Sequence, residues 1–170
     1  ADFARALWLE EYADTRLREA TLPYFSEQVV KPVFQGKPGD EAVLAAAAAP
    51  RDEAFGYLEG ELPDNGFAVA GALTVADVAI GAQLVTYCQG AGPIDAGRWP
   101  KLARYLAGLL ARPHWAAVHG EEESALATAR ERRRGTAPLR SLLATPTSPH
   151  VAEMFRAKKL ARPSRNPVGR

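Results

Sequence analysis

The sequence predicts an all-α fold, and three observations carry that reading. Alanine, leucine and arginine are abundant, which suits helices, while the β-branched and aromatic runs that mark strands are scarce. Apolar residues recur at spacings of three and four in several segments. The stretch GALTVADVAIGAQLV, Gly71 to Val85, sets Thr74 three residues before Asp77 at the mouth of an apolar run, the pattern of a capped helix start. At 170 residues the chain is long enough for one domain with a real core.

The opening ADFARALWLEEYADTRLREATLPYF reads as a long helix, with Ala6, Leu9, Ala13, Leu17 and Ala20 on one face. Pro23 predicts a kink or break near Leu22, followed by a further turn or two to about Phe34. QGKPGD is a loop by its glycines and proline. Asp40 is placed to cap the next helix, in which Val43, Leu44, Ala47, Phe55, Leu58 and Leu62 are apolar, and Pro50 predicts that it is bent or in two pieces. ELPDNGF makes a turn, with Gly66 available for a positive φ.

Thr74 and Asp77 predict the aspartate form of a capping box. The hydroxyl faces the Asp77 N–H while the carboxylate reaches back to the Thr74 N–H, with Leu73 and Val78 placed as a hydrophobic staple. Behind the box the helix is apolar all round, which predicts an interior position. Downstream, Pro100 suits a first turn, and Leu102, Leu106, Leu109 and Leu110 form a stripe. Pro113 ends that helix and opens another, running to about Glu123.

Charge divides the chain. Residues 1–123 carry 10 Lys and Arg against 18 Asp and Glu, a balance of −8, and residues 124–170 carry 11 against 2, a balance of +9. This predicts an acidic folded domain over 1–123 and a basic extension over 124–170. Within the extension Ser148 to Leu160 can form one helix, and the rest is expected to be disordered. Cys88 is the single cysteine, so no internal disulfide forms. No apolar run reaches the roughly 18 residues of a membrane span and no signal peptide is evident, so a cytoplasmic protein without a transmembrane segment is expected.

With these residues in place, the chain resembles a known family. The capped helix FAVAGALTVADVAI, the succeeding RWPKLARYLAGLLARPHW and the opening ALWLEEYADTRL are similar to the C-terminal all-helical domain of glutathione S-transferases, over about residues 3–123. The most specific part is Gly71-x-x-Thr74-x-x-Asp77 with Trp99-Pro100 and Arg112-Pro113 downstream. The resemblance implies a bundle of that type. It also implies glutathione as co-substrate, a small hydrophobic electrophile as partner, and a possible homodimer. In the family a thioredoxin-like domain holds glutathione and activates its thiol, and no segment here matches that domain, so no catalytic residue is assigned. The helical domain of the family walls the electrophile pocket. Trp8, Tyr12 and Trp115 are candidates for that wall, with core packing or a dimer contact as the plain alternative. The resemblance also places acidic residues of the first helix near the glutathione amino group. Asp14 or Glu11 suits that role, and a solvated helix face is the alternative.

Other chemistry finds little support. Cys88 sits in an apolar helix without a neighbouring His or Arg and reads as a buried, inert thiol. His114 and His119 are five apart with no cysteine cluster, so no metal is expected. Arg130, Arg132, Arg133 and Arg134, with Arg156, Lys158 and Lys159, could attract nucleic acid or an anionic membrane. Phe155 is the only aromatic there, so a solubilising tail is the plainer reading and no nucleic-acid partner is expected. A non-catalytic helical interaction module, resembling the assembly domains of translation factors, is the second functional reading.

Overall fold

The computed structural model describes residues 1–64, 66–69 and 71–135. The chain divides into two units, the first Ala1–Gly120 and the second beginning at Glu121. The first unit opens with a continuous helical run: α1 (Asp2–Tyr12), a π-helical segment (Ala13–Leu17), α2 (Arg18–Phe25) and a second π segment (Ser26–Gln35). There follow α3 (Glu41–Glu61), α4 (Val75–Ala91), α5 (Pro100–Leu110) and α6 (Pro113–Arg134), the last of which extends into the second unit. The described residues contain no strand, only an isolated bridge between Val69 and Ala72. The all-α expectation holds.

The predicted stripe of the first helix is the core-facing one, since Ala6, Leu9, Ala13, Leu17 and Ala20 are all buried. They meet Phe55 and Leu58 of α3 and Ile80 and Leu84 of α4 in one apolar cluster. Of the kink or break expected at Pro23 and the bend or two pieces expected at Pro50, the break and the division into two pieces are absent. Pro23 lies inside α2 and Pro50 inside the single helix α3. Proline deprives the carbonyl four residues earlier of its donor. Those carbonyls belong to Glu19 and Ala46, both exposed residues where water can take the donor's place. The irregularity appears instead as the two π segments, the second of which contains Pro32 and ends at Gly36 in the left-handed region.

Carboxylates hold the helix starts. Asp40 caps α3 by accepting from the Ala42 N–H at 2.9 Å. Glu27 accepts from the Asp40 N–H and from Lys31, pinning the loop that leads into α3. The N-terminus of α5 has no cap of its own, and Glu59 of α3 supplies one, accepting from Lys101 N–H and Leu102 N–H at 2.9 Å each.

The start of α4 carries the most complete arrangement. The capping box of Thr74 and Asp77 forms, and Asp77 is fully buried. Its Oδ2 accepts from the Thr74 N–H at 2.8 Å and from the Thr74 hydroxyl at 3.0 Å. Its Oδ1 accepts from the Ala68 N–H at 2.8 Å and from the Tyr105 hydroxyl at 2.9 Å. One carboxylate therefore joins the entry loop, the start of α4 and the middle of α5. Burial, followed by the adjacent Asp77 charge, pushes the Tyr105 phenol far above its ordinary range, so Tyr105 stays a donor.

The expectation that α4 is interior on every side is corrected. Ala76, Ile80, Gly81, Leu84 and Val85 are buried, but Val75, Val78 and Ala82 are exposed, as is Leu73 before the cap. Both staple residues, Leu73 and Val78, are about half exposed (49% and 50%) and so bury little surface against each other. At its other end α4 crosses α2 closely. A Cβ on Gly90 would lie 2.5 Å from the Tyr24 carbonyl oxygen, so only glycine fits there.

The remaining differences lie downstream. Helix α6 continues to Arg134, past the Glu123 at which the sequence suggested its end, so Arg130 and Arg132 to Arg134 stand on helix. The expected helix Ser148–Leu160 and the basic residues Arg156, Lys158 and Lys159 fall outside the described residues.

Replacing Asp77 by Ala should lower the unfolding free energy by about 3 kcal/mol or more, because it leaves several buried donors unpaired. Thr74→Ala, which removes only the local cap hydroxyl, should cost about 0.5–2 kcal/mol. Urea denaturation measures both. Equal losses would mean that the local cap, and not the link to Ala68 and Tyr105, carries the stabilisation.

Candidate functional site

The first unit carries a cleft of about 430 Å³ between the opening helical run and α3. Residues at helical spacing form each side: Tyr12, Arg16 and Glu19 from the opening run, and Pro50, Glu53 and Tyr57 from α3. The π segment Ala13–Leu17 lies between Tyr12 and Glu19, and its wider turn sets how those side chains line up. Its buried Ala13 and Leu17 anchor the opposite face in the core.

Aromatic rings build the head of the cleft. The Tyr12 and Tyr57 rings stand 4.4 Å apart between centroids and tilt by 36°. Trp8, one turn before Tyr12, donates its indole N–H to the Tyr57 hydroxyl at 2.8 Å. The Tyr12 hydroxyl points to the Ala54 carbonyl at 3.5 Å. Burial, with neighbouring Tyr57 and Glu53 adding, pushes the Tyr12 phenol up to about 12, so it is neutral near pH 7. Glu53 forms no ion pair among the described residues, and the Arg16–Glu19 pair is long, at 3.9 Å, and largely exposed.

The structure thus places Tyr12 in the cleft lining and adds Tyr57, which the sequence reading did not single out, while Trp8 lies off the lining and reaches it through its bond to the Tyr57 hydroxyl. Trp115 is elsewhere. Its indole lies against Gly81 of α4 beside Leu109, where a Cβ on Gly81 would collide with the ring. It packs on the core and does not line the cleft. Glu11 and Asp14 are exposed and also lie off the cleft lining.

Cys88 is half-buried, and burial pushes its thiol up to about 11, against a smaller opposing effect of a backbone bond to Ile94. Such a thiol is not a nucleophile near neutral pH. His119 is half-buried, and its Nδ1 has no partner among the described residues. Among those residues no group of three His, Cys, Asp or Glu side chains converges as a metal site would require, and no helix is long and apolar enough to cross a membrane.

A second aromatic cluster holds the middle of α3. Arg51 donates to the Tyr87 hydroxyl at 3.0 Å and to Asp52 at 2.6 Å, and its guanidinium lies 5.4 Å from the Trp99 ring centre. Arg98 covers the same ring at 4.2 Å and reaches Asp52 at 2.8 Å. The hydrogen bond from Arg98, supported by Arg51, holds the Asp52 carboxyl below its ordinary range. These groups satisfy one another and form a clasp between α3 and the loop before α5.

Two measurements check these placements. Gly81→Ala should cost about 1–3 kcal/mol through overpacking, and the cost should shrink in a Trp115→Ala background. For Tyr12, the folded-state value of about 12 lies above the ordinary 10, so the fold holds the phenolic proton more tightly. The resulting stability is full below pH 10 and is lost as pH rises to about 12. Tyr12→Phe should flatten that part of the stability curve.

Comparison with known proteins places the fold. The family described as Glutathione S-transferase, C-terminal domain, matches residues 12–113, more than half of the chain. No curated protein matches the chain significantly. The matched region begins at Tyr12 in the cleft and ends at Pro113, so it includes the π segment, the capping box and α5. A helical bundle with this capped central helix, matched over that span, belongs to the glutathione S-transferase family through its C-terminal domain.

Proposed function

We propose that the helical domain forms the wall against which a glutathione transferase holds its small hydrophobic electrophile. The observation that carries this reading is the aromatic head of the cleft, where Tyr12 and Tyr57 line the wall within the family-matched span and Trp8, just before that span, holds the Tyr57 hydroxyl. In the proposed reaction the glutathione thiolate attacks the electrophilic carbon, a C–S bond forms, and the leaving group departs with the bonding pair. The residues described here orient the electrophile and exclude water from one side of it. Activation of the thiol is assigned to a thioredoxin-like domain, and no described residue is given that role. Glu11 or Asp14, both exposed on the first helical run, would receive the glutathione ammonium group. Cytoplasmic placement belongs to the same proposal.

A second reading, an interaction module or homodimer, rests on exposed apolar side chains. Phe3 and Leu7 stand out on α1 (78% and 43% exposed), and Leu73, Val75 and Val78 do so around the start of α4. Sedimentation of the chain over a concentration series, with Phe3→Ser as control, tests self-association on α1.

Glutathione addition to a chloro-nitroaromatic substrate should be absent from the 170-residue chain alone and present when it is joined to a thioredoxin-like domain. In the joined protein, Trp8→Ala should raise the KM for the electrophile by about three- to tenfold and leave that for glutathione unchanged. Turnover by the chain alone refutes the division of labour.

A further inference from the structure

The cleft is aromatic at its head and acidic along its sides, and this combination has a chemical preference. Tyr12 and Tyr57 offer ring faces, whose quadrupole attracts positive charge. Both phenols are engaged at their oxygens, Tyr12 toward the Ala54 carbonyl and Tyr57 as acceptor from Trp8, so the rings are held in place. Glu53 follows Pro50 and precedes Tyr57 on the same face of α3, and its charge is felt at the Tyr12 hydroxyl more strongly than the opposing charge of Arg16. Glu19 lies on the facing run. Arg16 is the one cation in the lining among the described residues. It sits 3.9 Å from Glu19 with both side chains more than two-thirds exposed, so it offsets one carboxylate and leaves the other unmatched.

We propose that this cleft selects a flat aromatic compound bearing a positive charge, with the ring against Tyr12 and Tyr57 and the cationic group between them and Glu53. The inference rests on the reading of the cleft as the co-substrate wall and narrows its substrate class to cationic aryl compounds. A volume of about 430 Å³ admits a one- or two-ring molecule. An anionic aryl compound would meet two carboxylates, Glu53 and Glu19, against the single guanidinium of Arg16. An uncharged one would gain the stacking but not the ionic attraction.

The probes are benzyltrimethylammonium, the uncharged N,N-dimethylbenzamide of similar size, and phenylacetate, each titrated into the full chain. The readout is the Trp8 indole N–H resonance, assigned with Trp8→Phe, because that N–H is bonded to Tyr57 at the cleft. The ammonium compound should shift this resonance and bind about fivefold or more tightly than the amide, with phenylacetate weakest. Glu53→Gln, an exposed substitution, should remove most of that difference. Equal affinities for the ammonium compound and the amide overturn the charge preference and leave the wall reading standing. A preference that persists in Glu53→Gln and in the Glu19→Gln, Glu53→Gln double variant overturns the assignment to these carboxylates. If none of the three probes moves the Trp8 resonance, the cleft is not a ligand wall, and both readings fall together.

Discussion

The rest of the bundle depends on one buried carboxylate. Asp77 has no solvent access, so its charge is tolerable only because four donors converge on it. Two of those donors come from Thr74, one from the loop at Ala68 and one from Tyr105 on α5. On the buried side of this helix end the N–H groups must be satisfied without water, and a negative charge suits the positive end of the helix dipole. The same carboxylate that meets this local need fixes the loop and a second helix to the first. Asp40 at α3 and Glu59 at α5 repeat the principle in simpler form, the first from within its own helix start and the second from a neighbouring helix.

The division between what was legible in the sequence and what was not follows the range of each interaction. Thr74 and Asp77 are three apart, so their reciprocal bonding is written in the local pattern. Ala68 and Tyr105, at 9 and 28 residues from Asp77, are not. The buried stripe Ala6, Leu9, Ala13, Leu17 and Ala20 was readable because periodicity reports which face is apolar. Periodicity could not report that α4 has neighbours on only part of its circumference, which is why Val75 and Val78 lie open despite an apolar sequence. That neither helix breaks at Pro23 or Pro50 has a related reason. A proline inside a helix is better tolerated where the freed carbonyl can find another partner, and here the residues concerned face solvent.

The candidate site shows the same limit. Trp8 and Tyr12 are one turn apart and could be paired by spacing alone, whereas Tyr57 joins them from 49 residues away from Trp8. The available signal for Tyr57 was its place one turn after Glu53 and two turns after Pro50, which puts a polar-aromatic row on a helix otherwise read for its apolar residues. Trp115 lacked any such signal. Its position was decided by Gly81, whose missing side chain leaves a recess for the indole, and a glycine within an apolar helix can serve many ends.

Helix α3 connects the fold to the cleft because its faces do different work. Phe55 and Leu58 are buried in the core, while Glu59, one position on, reaches the start of α5. Near its middle Arg51 and Asp52 engage Tyr87, Trp99 and Arg98. These attachments lie at both ends of the stretch that contains Glu53 and Tyr57, so α3 cannot turn about its axis without breaking one of them. Rotation is the motion that would carry Tyr57 away from Tyr12. The ring pair therefore takes its geometry from polar contacts on the far sides of the helix, and α5, which α3 caps, is itself held by Tyr105 to Asp77. The buried carboxylate thus bears on the cleft without touching it.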